Sequence, residues 1–240
     1  MSKSFQAQRI VRTTIFLGFY FLLLATLVTF YLLLILFCCL IERKINHKSK
    51  IKMRRLFFSL IIFAFLSLIG LYFFNNYWIH RFDDLIARQA SVYKLDEKLV
   101  WSVIYEETYF RALQIGAAEE VGLMQVTPTV AREWAKETGF REFEKQTAEN
   151  VVDFLRDPER NIQVGCWYLE KLRENYRGYA AENAMTLAAY NAGASRVEEW
   201  TKEADAAKLT REEFIERIDI ASTKAYVTSI LKRYDAEKSK

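Results

Sequence analysis

Residues 105 to 128, YEETYFRALQIGAAEEVGLMQVTP, set two adjacent carboxylates, Glu106 and Glu107, near the end of an apolar run, followed by Gly116 and the tetrad Gly122-Leu123-Met124-Gln125. Beyond His80 the chain holds no histidine and a single cysteine, Cys166. Neither a His-based triad nor a Cys/His zinc site can be built from residues 82–240. That stretch has no Gly-rich phosphate loop either. Proton transfer there falls to Asp, Glu, Lys or Tyr, and no metal or cofactor is implied.

The two carboxylates are not equivalent on a helical wheel. Relative to Glu107, Val100 lies at about 20°, Val103 at about 40° and Ile104 at about 60°, so Glu107 continues the stripe that should face the core. Glu106 is rotated off that stripe, on the side of Ser102. A carboxyl placed like Glu107 is either an exposed charge at a helix end or a group whose pKa desolvation raises, as a general acid requires. The loop that follows adds an amide, Gln125, beside the apolar pair Leu123 and Met124, a mixture suited to a sugar bearing an N-acetyl group. Glycines 116 and 122 permit the tight backbone that such a loop needs. The plainer reading is that Leu123 and Met124 pack into the core.

The elements that must position these residues are helices. Thr127-Pro128 and Asp157-Pro158 each put a capping side chain before a proline at the first helical position. Gly139 and Gly178 lie where helices would stop. The pattern predicts helices near 82–92, 96–109, 128–137, 147–155, 158–176, 182–191, 193–201, 210–217 and 219–236, and no strand. The expected class is mainly α.

The N-terminal third differs. Hydrophobic residues make up 52% of the chain, and the excess is local: residues 13–41 and 56–79 carry no charge, each long enough to cross a bilayer of roughly 30 Å as a helix. Between them, 42–55 (ERKINHKSKIKMRR) has seven Lys/Arg, which predicts a cytoplasmic loop with residues 82–240 outside. The alternative is a start at Met53, where MRRLFFSLIIFAFLSLIGLYFF reads by itself as a basic stretch followed by an uncleaved anchor, which leaves the outer part on the same side. The expected organisation is a two-helix membrane anchor over 1–81 and a globular domain over 82–240. Residues 1–81 hold eleven Lys/Arg against one Glu, and the remaining 23 basic and 29 acidic residues give the outer part a balance of −6. That sign argues against nucleic acid as its ligand.

Four segments now stand in order: Glu107-Thr108-Tyr109-Phe110 with Gly122-Leu123-Met124-Gln125; Asn161, Ile162, Gly165, Tyr168 and Leu169; Ala189-Tyr190-Asn191-Ala192-Gly193; and Ser222-Thr223-Lys224-Ala225-Tyr226-Val227. Together, over about residues 90–235, they resemble the motifs of the goose-lysozyme-like lytic transglycosylases of the soluble-lytic-transglycosylase type. In that family the Gly of Gly-Leu-Met-Gln follows the catalytic Glu by fifteen residues, the separation of Gly122 from Glu107. The spacing selects Glu107, in agreement with the wheel.

The resemblance implies a lysozyme-like fold and cleavage of the β-1,4 bond between N-acetylmuramic acid and N-acetylglucosamine in peptidoglycan. Glu107 would act as acid and then base, giving a 1,6-anhydro end. It further implies that Tyr190 hydrogen-bonds the catalytic carboxyl and that Gln125 and Asn191 contact sugar. Met124 would lie along the cleft, Thr108 beside the acid among the substrate-binding residues, and Tyr226 near the catalytic end. The expected partners are peptidoglycan glycan strands and a lipid bilayer, at a bacterial cytoplasmic membrane with the domain facing the wall. Departures from the family pattern are Thr108 for Ser, Glu119-Glu120 where many members have Gly-Ala, and Ser222 for Glu. The alternatives are a muramidase-type hydrolase, with Glu119 or Glu120 positioning a water, and a glycan-binding or scaffold module without turnover.

Overall fold

A computed structural model describes residues 47–140 and 148–239 of the 240-residue chain. Among the described residues there are ten helices and no strand: α1 His47–His80, α2 Asp83–Val92, α3 Glu97–Thr108, α4 Pro128–Thr138, α5 Ala148–Arg156, α6 Pro158–Glu174, α7 Glu182–Ala192, α8 Ala194–Thr201, α9 Arg211–Arg217 and α10 Ala221–Lys238. The nine helices expected after residue 81 are all present within a few residues. The run 13–41 lies outside the described residues.

The chain divides into two compact units, Met1–Tyr77 and Trp78–Lys240. In the first, the described residues are helical from His47 onward, so 47–55 of the stretch expected to be a loop is helix; Lys and Arg are good helix formers and neither Gly nor Pro interrupts it. The helix exposes large apolar side chains, Phe63, Phe65, Leu66, Tyr72 and Phe73 among them. It is long and apolar enough to cross a membrane, its uncharged part spanning about 36 Å at 1.5 Å per residue.

In the second unit local chemistry fixes the helix starts. Asp96 Oδ1 accepts from Lys98 N at 2.9 Å, Thr127 Oγ1 from Val130 N at 3.3 Å, and Asp157 Oδ1 from Arg160 N at 3.0 Å. Pro128 and Pro158 occupy first-turn positions, where a missing N–H costs nothing. Gly139 ends α4, whereas α6 stops at Glu174, four residues before Gly178, and is capped by Asn175. The central element is α7. Ala184, Met185, Thr186, Leu187, Ala188 and Ala189 are all buried, as befits a helix enclosed on every side, and α6, α8 and α10 pack around it.

The pairing that matters for chemistry is α3 against α10, which run antiparallel and are joined by polar contacts along their length. Tyr234 Oη donates to Asp96 Oδ2 at 2.7 Å and Lys98 Nζ to the Glu237 carbonyl at 2.9 Å at one end. At the other end Ser229 Oγ donates to Glu106 and Tyr226 Oη to Glu107.

Candidate active site

Glu107 occupies the last turn of α3, one residue before its end. Val100, Val103 and Ile104 on the same stripe are fully buried, and Glu107 itself is half-buried, so the wheel places it correctly. Its Oε1 accepts a 2.6 Å hydrogen bond from Tyr226 Oη. Tyr226 is 1% exposed. Burial, and next the charge of Glu107, hold its phenol well above the ordinary tyrosine value, so it stays protonated and donates throughout the neutral range.

Tyr190 was the residue expected to hydrogen-bond the carboxyl. Its hydroxyl instead donates to the Met124 carbonyl at 2.7 Å, and the one hydroxyl proton is thereby used. Burial is the main cause of its raised pKa, with the Glu107 charge next, so Tyr190 belongs to the electrostatic surroundings of Glu107. The spacing of motifs along the chain does not distinguish two tyrosines that converge on one carboxylate from different helices.

Glu106 is no free surface charge. Its Oε2 accepts from Ser229 Oγ at 2.7 Å and lies 3.3 Å from Arg233 Nη1, both side chains mostly covered. The Arg233 guanidinium stacks on Tyr105, 3.9 Å from the ring centroid. Glu106 thus pairs with Ser229 and Arg233 while Glu107 meets Tyr226, and the two adjacent carboxylates are assigned different partners by a rotation of about 100°.

The loop Gly122–Gln125 is held from below. Asn161 on α6 is fully buried: its Oδ1 accepts from Met124 N at 2.8 Å, and its Nδ2 donates to Val121 O at 2.8 Å and Leu155 O at 2.9 Å. Gly122 has φ +75, and a Cβ there would collide with the Asn161 amide. Gly165 faces the Met124 sulfur so closely that a Cβ would displace it. These contacts put the Met124 side chain in the core between the loop and α6, 0% exposed. The Thr108 hydroxyl is likewise buried and donates to Leu123 O at 3.0 Å. Thr108 and Met124 thus support the site from beneath, while Gln125 and Asn191 stand half-buried at its rim. Gln125, at φ +49, turns its Nε2 back onto Gly122 O at 2.9 Å. Asn191 Oδ1 accepts from Thr223 Oγ1 at 2.8 Å, which fixes the plane of its amide.

Glu119 is exposed at φ +63, and Glu120 Oε2 accepts from Ala118 N at 2.9 Å. Both belong to the turn between Ile115 and Val121, which face each other across an isolated antiparallel bridge. Among the described residues no group of three or more His, Cys, Asp or Glu side chains is placed to hold a metal ion. What the arrangement can do is shuttle one proton at Glu107, beside a fixed phenolic donor and a rim of amides.

The model of the transglycosylase SLT domain family matches residues 84–212. The soluble lytic murein transglycosylase of Escherichia coli (strain K12) is 27% identical over 155 residues, which are 65% of this chain and 22% of that protein. Membrane-bound lytic murein transglycosylase C of Histophilus somni (strain 2336) is 30% identical over 122 residues, 49% of this chain and 32% of its own length. The crystal structure of the 70 kDa soluble lytic transglycosylase from Escherichia coli superposes with a TM-score of 0.55 at 26% identity, covering 65% of this chain and 23% of that one. An inactive mutant of lytic transglycosylase Slt from Pseudomonas aeruginosa shares the fold, with a TM-score of 0.57 at 23% identity over 68% of this chain and 25% of that one. The chain therefore spans a third or less of the length of these relatives.

Proposed function

This chain belongs to the transglycosylase SLT domain family, and from that premise we propose that it is a membrane-anchored lytic transglycosylase that cuts peptidoglycan between N-acetylmuramic acid and N-acetylglucosamine. The observation that carries the reading is the 2.6 Å hydrogen bond from Tyr226 to Glu107, made at the end of α3 next to the Gly122–Gln125 loop. The relatives described above, named as lytic murein transglycosylases, support the substrate class.

In this mechanism Glu107 begins protonated and gives its proton to the glycosidic oxygen, which leaves on the N-acetylglucosamine with the electron pair of the broken bond. Positive charge then develops at C1 of the muramic acid. Glu107, now a carboxylate steadied by the Tyr226 hydroxyl, takes the proton of the sugar's own 6-hydroxyl as that oxygen closes onto C1. The product is a 1,6-anhydro ring, no water is consumed, and Glu107 returns to its starting state. Because the nucleophile belongs to the substrate, one protein carboxyl acts as both acid and base. Glu120 spends an oxygen on the Ala118 N–H and Glu119 is exposed on the turn, which favours this course over one in which either positions an attacking water. Gln125 and Asn191 supply amides to the N-acetyl and hydroxyl groups of the glycan.

Residues 56–79 of α1 serve as an anchor in a bacterial cytoplasmic membrane, with the basic residues before them inside and the domain from about residue 82 facing the wall. The exposed apolar surface of α1 supports this. The test is incubation of the detergent-solubilised full chain with purified peptidoglycan, alongside Glu107→Gln. Muropeptides one water lighter than hydrolytic products, absent with the variant, are expected. Hydrolytic products, or release undiminished by the variant, would overturn the proposal.

A further inference from the structure

Helix α3 does not simply run out after Glu107. Its last residue, Thr108, is followed by two successive non-glycine residues in the left-handed region, Tyr109 at φ +53 and Phe110 at φ +60. L side chains rarely adopt this conformation, and it persists only where surroundings over-determine it. The turn drives Phe110 into the core, 0% exposed, and ends the helix with three consecutive carbonyls, those of residues 108, 109 and 110, that accept from side chains.

Each of those carbonyls is taken by a side chain. Arg111 Nε donates to Thr108 O at 2.9 Å, Trp78 Nε1 donates to Tyr109 O at 2.9 Å, and the Arg81 guanidinium donates to Phe110 O. Two of the three donors thus come from the four residues 78–81, about thirty positions upstream. They brace one another, since the Arg81 guanidinium lies over the Trp78 ring, 3.4 Å from its centroid. The bracing is returned from α3 itself, where Trp101 Nε1 donates to Ile79 O at 3.1 Å and the Trp101 ring packs against Phe110 at 5.3 Å. Segment 78–81 and the end of α3 are therefore stitched together in both directions.

We propose that Trp78 and Arg81 are positioning residues for Glu107: they hold the left-handed Tyr109–Phe110 turn and so fix the pitch at which the last turn of α3 presents the Glu107 carboxylate to Tyr226. Glu107 is two and three residues from the carbonyls they grip, too close in a helix for the turn to shift without rotating it. Both residues belong to the same compact unit as the site, Trp78–Lys240, and both are partly buried. The role rests on the transglycosylase reading given above, so its test needs an arm that does not use turnover.

The experiment compares the full chain in detergent with Trp78→Phe, Arg81→Gln and Arg81→Lys, by amide hydrogen exchange and by peptidoglycan cleavage over a range of pH. In Trp78→Phe and Arg81→Gln the amides of Tyr109 and Arg111, which bond to Tyr105 O and Thr108 O, should exchange about tenfold faster while those of α7 keep their wild-type rates. The same variants should lose about tenfold in kcat with KM within about twofold, as expected of a displaced acid, and the limb of the pH profile that reports Glu107 should move. Arg81→Lys, which keeps a charged donor, should recover most of both. Wild-type exchange at Tyr109 and Arg111, faster exchange spreading through α7, or faster exchange with unchanged kcat and pH profile would each overturn the proposal. A wild-type chain inert on peptidoglycan would sink the functional reading alone, and the exchange data would still decide whether Trp78 and Arg81 hold the turn.

Discussion

At the scale of single residues, the site is a carboxyl whose partners come from a distant helix. Glu107 Oε1 meets Tyr226 Oη at 2.6 Å, and Tyr226→Phe removes that donor with little change in volume. The expected result is a fall in kcat of about 10-fold to 100-fold with KM nearly unchanged, because the bond matters most once Glu107 has become a carboxylate. Tyr190→Phe should cost less, since its hydroxyl bonds to the Met124 carbonyl and acts on Glu107 only through space. Steady-state rates on soluble glycan fragments check the order of the two. The position of Glu107 on the core-facing side of α3 was legible in the sequence, because the apolar stripe is a local signal. The division of labour between Tyr190 and Tyr226 was not, since it depends on how α7 and α10 are set against α3. Glu106 shows the same limit: the partners it finds, Ser229 and Arg233, are more than a hundred positions away.

At the scale of elements, α6 is the support on which the Gly122–Gln125 loop rests. Asn161 satisfies one buried N–H and two buried carbonyls of that region, and leaving such groups unpaired costs roughly 1–3 kcal/mol each. Asn161→Ala should therefore destabilise the domain by about 3 kcal/mol and lower kcat as the loop loosens, measured by thermal melts and turnover together. Gly165→Ala pushes a methyl into the Met124 sulfur and should cost about 1–3 kcal/mol through overpacking. The helices themselves were readable from caps, prolines and periodicity, which are short-range signals. Asn161 appeared in the sequence only as a motif position, because no pattern says that a helix residue will reach backbone groups up to forty positions away. That 47–55 is helical was not read from the sequence for a simpler reason: basic residues mark membrane topology, yet they also propagate a helix.

At the scale of the whole molecule, buried phenols tie stability to pH. Tyr190 and Tyr226 are held well above the ordinary value chiefly by burial, and burial pushes Tyr176 up to about 12. In the unfolded chain these groups ionise near pH 10. Above that the unfolded state releases protons that the folded state keeps, so stability is complete below about pH 10 and falls as pH rises towards the folded values. Melting temperature should decline over that alkaline range, and the decline should be shallower in Tyr226→Phe. The function proposed for the chain as a whole is that of a wall-facing acid–base domain with an apolar anchor, one carboxyl carrying both proton transfers. The most direct test of that claim is digestion of peptidoglycan by the full chain in water enriched in the heavy oxygen isotope, followed by weighing of the released muropeptides. The expected result is 1,6-anhydro ends with no heavy oxygen incorporated, and no release by Glu107→Gln. Incorporation of one heavy oxygen at the new reducing end would contradict it.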